Sequence, residues 1–298
     1  MTAFPNTSPG HSVSCRWCDY FDSQVEYRLD WKDERFATYS VHRCPQCTFA
    51  YVNPFPTTEQ LGMLYDSIEY HAEDRQAGDF WKMDSEQVEK TIQKERYFYV
   101  KYDLPSTGTM FDIGAGWGTL IKYFSDQGWR ASGMELAATQ TKFAKEKLEV
   151  TVHQAAIEQL DDLNLGRFDL ITMRHVLEHF ANPLATLQSV RRRLHDSSKL
   201  IIEVPDYGSW DRRAYGDQWP GFGPYHLWYF SRSSLQKLLN AAGFEILGFK
   251  TFLSDRLFSK PGPARRILRS LANRLQAERI FSGRSIGLLA SPTGELKP

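Results

Sequence analysis

The stretch Asp112-Ile113-Gly114-Ala115-Gly116-Trp117-Gly118 has the composition of a ligand-binding turn. Glycines at alternate positions permit positive φ and let a ligand come close to the backbone. Asp112, two residues ahead of the first glycine, can order the turn or accept hydrogen bonds from a ligand amine. Glu135 follows about 20 residues on, where a carboxylate would accept from ribose hydroxyls. A pyrophosphate would call for Gly-x-Gly-x-x-Gly at a helix N-terminus. Here the spacing is Gly-x-Gly-x-Gly, with Thr119 where the third glycine would stand. The nearby acid also suits a cationic ligand carrying an amino-acid group better than a pyrophosphate.

A second group of chemical residues is four cysteines, paired as Cys15-Arg16-Trp17-Cys18 and Cys44-Pro45-Gln46-Cys47, with 25 residues between the pairs. Two Cys-x-x-Cys turns can supply four thiolates in tetrahedral geometry to zinc. The gap exceeds the usual spacing of about 15–20 residues, but Gln24–Tyr27 and Phe36–His42 read as strands that would fill it. A redox Cys-x-x-Cys would be single and would precede a helix. Two disulfides are the other reading, disfavoured by the absence of a secretion signal in Met1 to His11. Four thiolates leave no open coordination position, so the expected zinc is structural. It would also stabilise a segment too short to build its own core.

Proton chemistry falls to histidines and their neighbours. His175-Val176-Leu177-Glu178-His179 has the spacing of an inverted zinc-protease helix, but His175 follows directly on a strand, which removes the continuous helix that site needs. Glu178 and His179 then read either as site residues or as a pair that orders the loop before Asn182-Pro183. His226 lies in Tyr225-His226-Leu227-Trp228, at the end of a stretch from Tyr207 to Tyr229 rich in aromatics and glycine. That stretch reads as a substrate lid or as a loop packed on the core.

These residues need a scaffold. Short apolar strands at Met110–Ile113, Ala131–Glu135, Val150–His153, Phe168–Met173 and Leu200–Val204 alternate with helices at Thr119–Gln127, Ala137–Leu148 and Pro183–Leu194. A further helix runs from Ser231 or Ser233 to Ala242, followed by strands at Phe244–Phe252 and Ser285–Ala290. Alternation of this kind gives an α/β fold, doubly wound, with a mostly parallel sheet and ligands at the carboxyl ends of its strands. Ahead of it, a strand begins near Thr48 and ends in a Pro-rich turn, a helix runs from about Thr57 to Tyr65, and another spans Ser85 to Tyr102. Between Arg256 and Arg284, apolar residues on helical spacing lie beside several arginines. A packed amphipathic helix with a solvated basic face is preferred there over an anionic-surface platform.

The chain has 298 residues with 36 Lys plus Arg and 36 Asp plus Glu, so no net charge draws it to nucleic acid or membrane. No apolar run approaches the roughly 18–20 residues of a bilayer span. The expectation is a cytoplasmic protein.

The motifs taken together resemble the class I S-adenosylmethionine-dependent methyltransferases over about residues 106–254. Phe111–Gly118 is similar to their first motif, Gly133-Met134-Glu135 to the second, and Phe168–Ile171 followed by Arg174–His179 to the fourth-strand motif. The cysteine segment through Asn53-Pro54, with Leu64-Tyr65, resembles the zinc ribbon fused to one subgroup, of which deoxysugar C-methyltransferases are the best known. The resemblance implies a seven-stranded Rossmann-like sheet and S-adenosylmethionine as cofactor. It implies cofactor contacts from Asp112, Gly114, Ala115, Gly116, Trp117, Gly118 and Glu135. It adds the backbone at Ala156 and Ile157 for adenine, the cofactor edge at Arg174 and His175, and Tyr70 closing over the cofactor. His226 matches the segment carrying the subgroup's proposed base, with Tyr225 where glutamate is common; His179 and Glu178 face the same acceptor. Cys15, Cys18, Cys44 and Cys47 are the implied metal ligands.

The expected organisation is a tail at 1–12, a zinc ribbon at 13–56, a helical connector at 57–105 and the methyltransferase domain at 106–298. Within the last lie the lid at 206–230 and the basic insertion at 255–284. The expected reaction is methylation of oxygen or carbon on a small molecule, such as a sugar or sugar nucleotide, without nucleic acid as partner. A nicotinamide oxidoreductase and a non-catalytic zinc-ribbon binding module are the alternatives; glycine spacing opposes the first, and neutral charge opposes a nucleic-acid form of the second.

Overall fold

The computed structural model describes residues 13–28, 39–57, 60, 80–223, 225–251 and 285–294. The expected tail, the Thr57–Tyr65 helix, Tyr65, Tyr70 and the basic insertion at 255–284 lie outside the described residues, apart from Thr57 and Gln60.

In chain order the strands are β1 (Val13–Ser14), β2 (Phe21–Arg28), β3 (Ser40–Arg43), β4 (Ala50–Asn53), β5 (Thr109–Ile113), β6 (Arg130–Glu135) and β7 (Thr151–Gln154). They continue as β8 (Phe168–Arg174), β9 (Leu194–Pro205), β10 (Trp228–Tyr229), β11 (Phe244–Thr251) and β12 (Ser285–Pro292). The helices are α1 (Ser85–Lys94), α2 (Arg96–Lys101), α3 (Thr119–Asp126), α4 (Ala138–Lys147), α5 (Pro183–Arg192), α6 (Trp210–Tyr215) and α7 (Arg232–Ala241).

Seven strands form one sheet in the order β11-β12-β9-β8-β5-β6-β7. β7, β6, β5, β8 and β9 run parallel, and β12 runs antiparallel between β9 and β11. The expected doubly wound, mostly parallel sheet is thus present. Its strand order reverses between β5 and β8, which is where such sheets open a crevice at their carboxyl ends. The turns after β5 and β8 carry the glycines and the Arg174-His175 pair, so the topology brings both motifs to one place.

The helices follow local chemistry. Asp84 caps α1 by accepting from the Gln87 amide, while the Gln87 side chain accepts from the Asp84 amide, a reciprocal capping box. Asn182 caps α5 with Pro183 at the first helical position, and Ser231 caps α7. The single helix expected from Ser85 to Tyr102 is broken into α1 and α2 at Glu95. No glycine or proline marks the break; the Glu95 side chain bonds Arg174 and Thr119 of the sheet domain. β4 begins at Ala50 because Thr48, at φ 68°, still closes the preceding cysteine turn. β9 starts at Leu194, earlier than its apolar run, because Leu194 pairs with Phe168 of β8.

A second sheet, β1-β2-β3-β4-β10, is antiparallel and belongs to the cysteine segment except for its last strand. β10 comes from the long aromatic stretch: Trp228 pairs with Tyr51 and Tyr229 with Ala50. The Val52 amide also donates to the Leu227 carbonyl at 3.0 Å. One continuous apolar core then runs from Phe49, Tyr51 and Trp228 to Leu200, Ile202 and Leu235 of the large sheet and α7. Each such buried side chain contributes about 1.5–3 kcal/mol. A single polar link such as Lys237 Nζ to the Cys47 carbonyl, at 2.7 Å, adds only about 1 kcal/mol. Shared apolar burial therefore fixes the small module on the large one. The other side of the sheet is covered by α1–α4, with Ile92, Phe98, Leu120, Phe124 and Phe143 in its core.

Candidate functional site

The turn after β5 has the backbone its glycines foretell. Gly114, Gly116 and Gly118 adopt φ of 71°, 54° and 78°. Among the described residues, a Cβ placed on Gly116 would meet nothing within 4 Å. Glu135, at the carboxyl end of β6, is buried and grips the turn: Oε2 accepts from the Gly116 amide and Oε1 from the Ala137 amide, each at 3.0 Å. The Gly114 and Ala115 amides both point to the Met134 carbonyl at 2.9 Å. Trp117 stacks on Phe80 with centroids 4.7 Å apart and meets Phe143 edge-on. Its indole is a packing group, and only its backbone belongs to the turn's inner surface. Ala156 and Ile157 sit beside Glu135, whose carbonyl accepts from the Ala155 amide; the Ala156 amide is taken by Gln159 Oε1 at 2.9 Å.

Asp112 lies beneath the turn, buried and bonded by Thr172 Oγ1. Burial pushes its carboxyl up to about 7, against the opposing pull of Arg174 and Thr172. Arg174 ends β8 and donates from Nη1 to Glu95 Oε2 at 2.8 Å, with its guanidinium over the Phe98 ring. Glu203 of β9 accepts from Tyr102 Oη at 2.8 Å and lies 3.6 Å from Lys101 Nζ. The crevice is therefore backed by a buried network of alternating charge. Its members come from separate places, Glu95 at the break between α1 and α2, Tyr102 just after α2, Thr172 in β8 and Glu203 in β9, and nothing in their local sequence marks them. Only the strand-end position of Thr172 and Glu203 offers a signal.

The fourth-strand motif turns sharply at His175, whose φ is 52°. Val176 follows against the glycine turn: a Cβ on Gly114 would stand 2.8 Å from Val176 Cγ2. Leu177–His179 form a short 3-10 turn that buries Glu178 completely. Neither Glu178 oxygen has a hydrogen-bond partner within 3.5 Å among the described residues. His175 Nδ1 lies 3.6 Å from Oε1 and His226 Nε2 lies 4.0 Å from it. Burial would raise the Glu178 carboxyl, but the three imidazoles outweigh it and hold the group below its usual range. Burial also depresses His179 to about 4, so its ring is neutral at pH 7. His179 Nδ1 pairs with the Tyr225 carbonyl at 2.9 Å and His226 Nδ1 with the Gly221 carbonyl at 2.7 Å. The two rings meet edge-to-face at 4.9 Å. Residues from two motifs far apart in sequence, Glu178 with His179 and His226, thus come together beside the glycine turn.

The expected lid at 206–230 is largely packed. Tyr207, Trp219, Tyr225 and Trp228 are buried, while Trp210 is 44% exposed. The reason is β10, which ties the stretch to the cysteine segment, where Trp228 meets Phe49, Tyr51 and Phe55.

The cysteines converge as expected. Cys15, Cys18, Cys44 and Cys47 present sulfurs within 4.8 Å of one another. The Cys15–Cys47 and Cys18–Cys44 separations are 3.4 and 3.7 Å. A tetrahedral zinc–thiolate centre with bonds of about 2.3 Å has sulfur–sulfur edges of about 3.8 Å, whereas a disulfide needs about 2.05 Å. The two turns match in their backbone: the Asp19 amide donates to Cys15 O and the Thr48 amide to Cys44 O, both at 2.9 Å. Amides of Trp17 and Cys47 point at Cys15 and Cys44 sulfurs, a pattern that stabilises thiolate. The donor set fits a structural metal.

No helix among the described residues is long and apolar enough to cross a membrane.

Comparison with known proteins agrees with this geometry. A solved S-adenosylmethionine-dependent methyltransferase from Archaeoglobus fulgidus superposes with a TM-score of 0.51 at 20% identity, covering 68% of this chain and 94% of that one. The 1,6-didemethyltoxoflavin-N1-methyltransferase of Burkholderia thailandensis, solved with S-adenosylhomocysteine, gives 0.51 at 16% identity over 88% of this chain and 98% of that one. These likenesses are of fold. In sequence, ubiquinone biosynthesis O-methyltransferases are similar: that of Xanthomonas oryzae pv. oryzae is 26% identical over 135 residues, 43% of this chain and 56% of the relative. That of Nitrosococcus oceani is 27% identical over 100 residues, 32% and 42%. The chain thus spans about half the length of the curated relatives it matches. A family model described as a methyltransferase domain matches residues 85–248, more than half of the chain. The chain belongs to that methyltransferase-domain family.

Proposed function

We propose that this enzyme methylates a hydroxyl oxygen of a small molecule, a sugar or sugar nucleotide being the acceptor class we favour. The observation that carries the reading is the face of Gly116 beside Glu135, which no described residue crowds, at the switch point and adjoining the Glu178–His179–His226 cluster. In this reading Gly114 to Gly118 and Glu135 hold the cofactor. A carboxylate has about four acceptor sites, so Glu135 can keep its two amides and still accept from a ribose. Asp112, in its ionised form, meets the cofactor's ammonium. Ala156 and Ile157 border adenine, and Arg174 and His175 border the methyl donor.

Methyl transfer is an in-line displacement, and the protein's share is alignment and removal of the acceptor's proton. Glu178, His179 and His226 are the residues placed for that share. Oxygen is favoured over carbon because the similar curated proteins bear O-methyltransferase names and because Tyr225 replaces the glutamate that accompanies the proposed base of the sugar C-methyltransferases. The four cysteines hold a structural zinc, supported by the sulfur separations above.

Calorimetry with S-adenosylhomocysteine against NADH tests the cofactor site; heat with NADH alone would end this reading. Labelled cofactor with a panel of nucleotide sugars tests the acceptor. If His179→Ala and His226→Ala both kept full turnover, the cluster would have no part in the reaction.

A further inference from the structure

We propose that Glu178, His179 and His226 form a second metal site, for a divalent transition-metal ion of the zinc class, which takes a hydroxyl oxygen of the methyl acceptor as a further ligand. The metal site stands on its own geometry; the acceptor's place in it rests on the methyl-transfer reading above.

Three observations converge. One ring nitrogen of each histidine and a Glu178 oxygen lie within 4.8 Å of one another. A carbonyl oxygen can only accept, so Tyr225 O and Gly221 O each fix a proton on the Nδ1 facing them. In a neutral ring this leaves Nε2 as the basic nitrogen, the tautomer that metal-binding histidines adopt when a backbone carbonyl holds the other nitrogen. Finally, both oxygens of Glu178 are buried with no hydrogen-bond partner among the described residues, and Oε1 faces only imidazole nitrogens there, His175 Nδ1 at 3.6 Å and His226 Nε2 at 4.0 Å. A buried carboxylate without hydrogen bonds is costly, and a cation between it and the two rings removes that cost.

The donor set is two imidazoles and one carboxylate, which suits zinc and its neighbours and leaves at least one position open. Ligand edges in such a centre are about 3.4 Å for bonds near 2.1 Å. The cluster therefore closes by about 1.4 Å at its widest, within reach of side-chain rotation. Both histidines are partly exposed, so an acceptor can reach the open position. Val176 packs on Gly114, which sets the cluster beside the cofactor turn.

Coordination lowers the hydroxyl's pKa, as it does for zinc-bound water. The hydroxyl proton leaves to solvent. The oxygen lone pair forms the new C–O bond, the S–CH3 bond breaks, and its electron pair stays on sulfur. The products are the methyl ether, S-adenosylhomocysteine and a proton.

The test is cobalt(II) titration of the full-length protein after its cysteine site has been filled with zinc. The expected result is one further equivalent bound, with visible cobalt bands from nitrogen and oxygen ligands. These bands should weaken about tenfold or more in apparent affinity in Glu178→Gln and His226→Ala, and persist in Cys44→Ser. Absence of the bands in the parent protein, or unchanged affinity in both cluster variants, overturns the proposal. S-adenosylhomocysteine binding, measured on the same samples, shows that each variant is folded; Glu178→Gln retains shape if His226→Ala does not fold. Bands without S-adenosylhomocysteine binding in the parent would sink the methyl-transfer reading and leave the metal site standing.

Discussion

Glu95 and Arg174 meet at 2.8 Å, and the same carboxylate accepts from Thr119 at 2.8 Å through its other oxygen. This junction pins the break between α1 and α2 to the ends of β8 and the start of α3. Removing one partner of a largely desolvated ion pair leaves the other uncompensated, at about 3–5 kcal/mol. Both side chains keep some solvent, 15% for Glu95 and 26% for Arg174, so we expect Glu95→Ala to lose about 3 kcal/mol in urea unfolding. A loss under about 1 kcal/mol would mean that the junction is as weak as a surface pair.

Two glycines separate folding from binding. A Cβ on Gly133 would stand 2.5 Å from the Asp112 carbonyl oxygen, a contact that backbone cannot relieve. Gly133→Ala is expected to destabilise by about 3 kcal/mol. On Gly116 the Cβ meets no described residue within 4 Å, and the positive φ costs about 1–2 kcal/mol. Gly116→Ala should therefore fold yet bind S-adenosylhomocysteine at least about tenfold more weakly. Equal affinity in calorimetry would remove Gly116 from the cofactor surface.

With Asp112 facing the cofactor's ammonium, as proposed, cofactor affinity should depend on pH. The Asp112 carboxyl moves from 3.8 to about 7 on folding, because burial favours the neutral form. The folded state thus holds a proton that the unfolded chain has lost between those values, and stability falls as pH rises from about 4 to 7. Binding runs the other way, since the cofactor's ammonium prefers the ionised carboxylate. S-adenosylhomocysteine should bind more tightly at pH 8 than at pH 6, and Asp112→Asn should flatten the profile. A profile with the same slope in both proteins assigns the proton elsewhere.

The small module should matter to turnover more than to cofactor binding. β4 pairs with β10, and His226 lies two residues before β10. Chelating the metal proposed at the cysteines, or Cys44→Ser, is expected to lower kcat about tenfold or more by loosening His226, while S-adenosylhomocysteine affinity stays within about twofold. If affinity and kcat fell together, general unfolding would be the better explanation.

Much of the scaffold was legible in the chain because its signals are local. The strands β5, β6 and β8 are short apolar runs ended by glycine or polar residues, and α3, α5 and α7 carry their own caps or stops. The cysteine turns were equally plain from spacing. What the sequence did not show was made by distant contacts. Nothing near Gln93-Lys94-Glu95-Arg96 breaks a helix; Arg174 and Thr119 do it. A two-residue strand such as β10 has no periodicity, so its pairing with β4, and with it the packing of the aromatic stretch, could not be read. The histidines and Glu178 were singled out as chemical residues, but their meeting depends on that same packing. Trp117 was read with the glycine turn, yet its indole found Phe80 and Phe143, a choice set by tertiary burial.

The pairing of β4 with β10 also bears on how the chain assembles. β4 is made early, but the edge it offers must wait for all five parallel strands, β5 to β9, to be synthesised before Trp228 and Tyr229 arrive. At usual elongation rates that interval is about 10–30 s. During it an apolar strand edge stands open, the kind that invites intermolecular pairing. Contacts of such long sequence separation form slowly. A metal held by Cys15, Cys18, Cys44 and Cys47 would keep the early hairpins closed through that wait, so metal supply during synthesis, rather than afterwards, would decide how much protein reaches the native state.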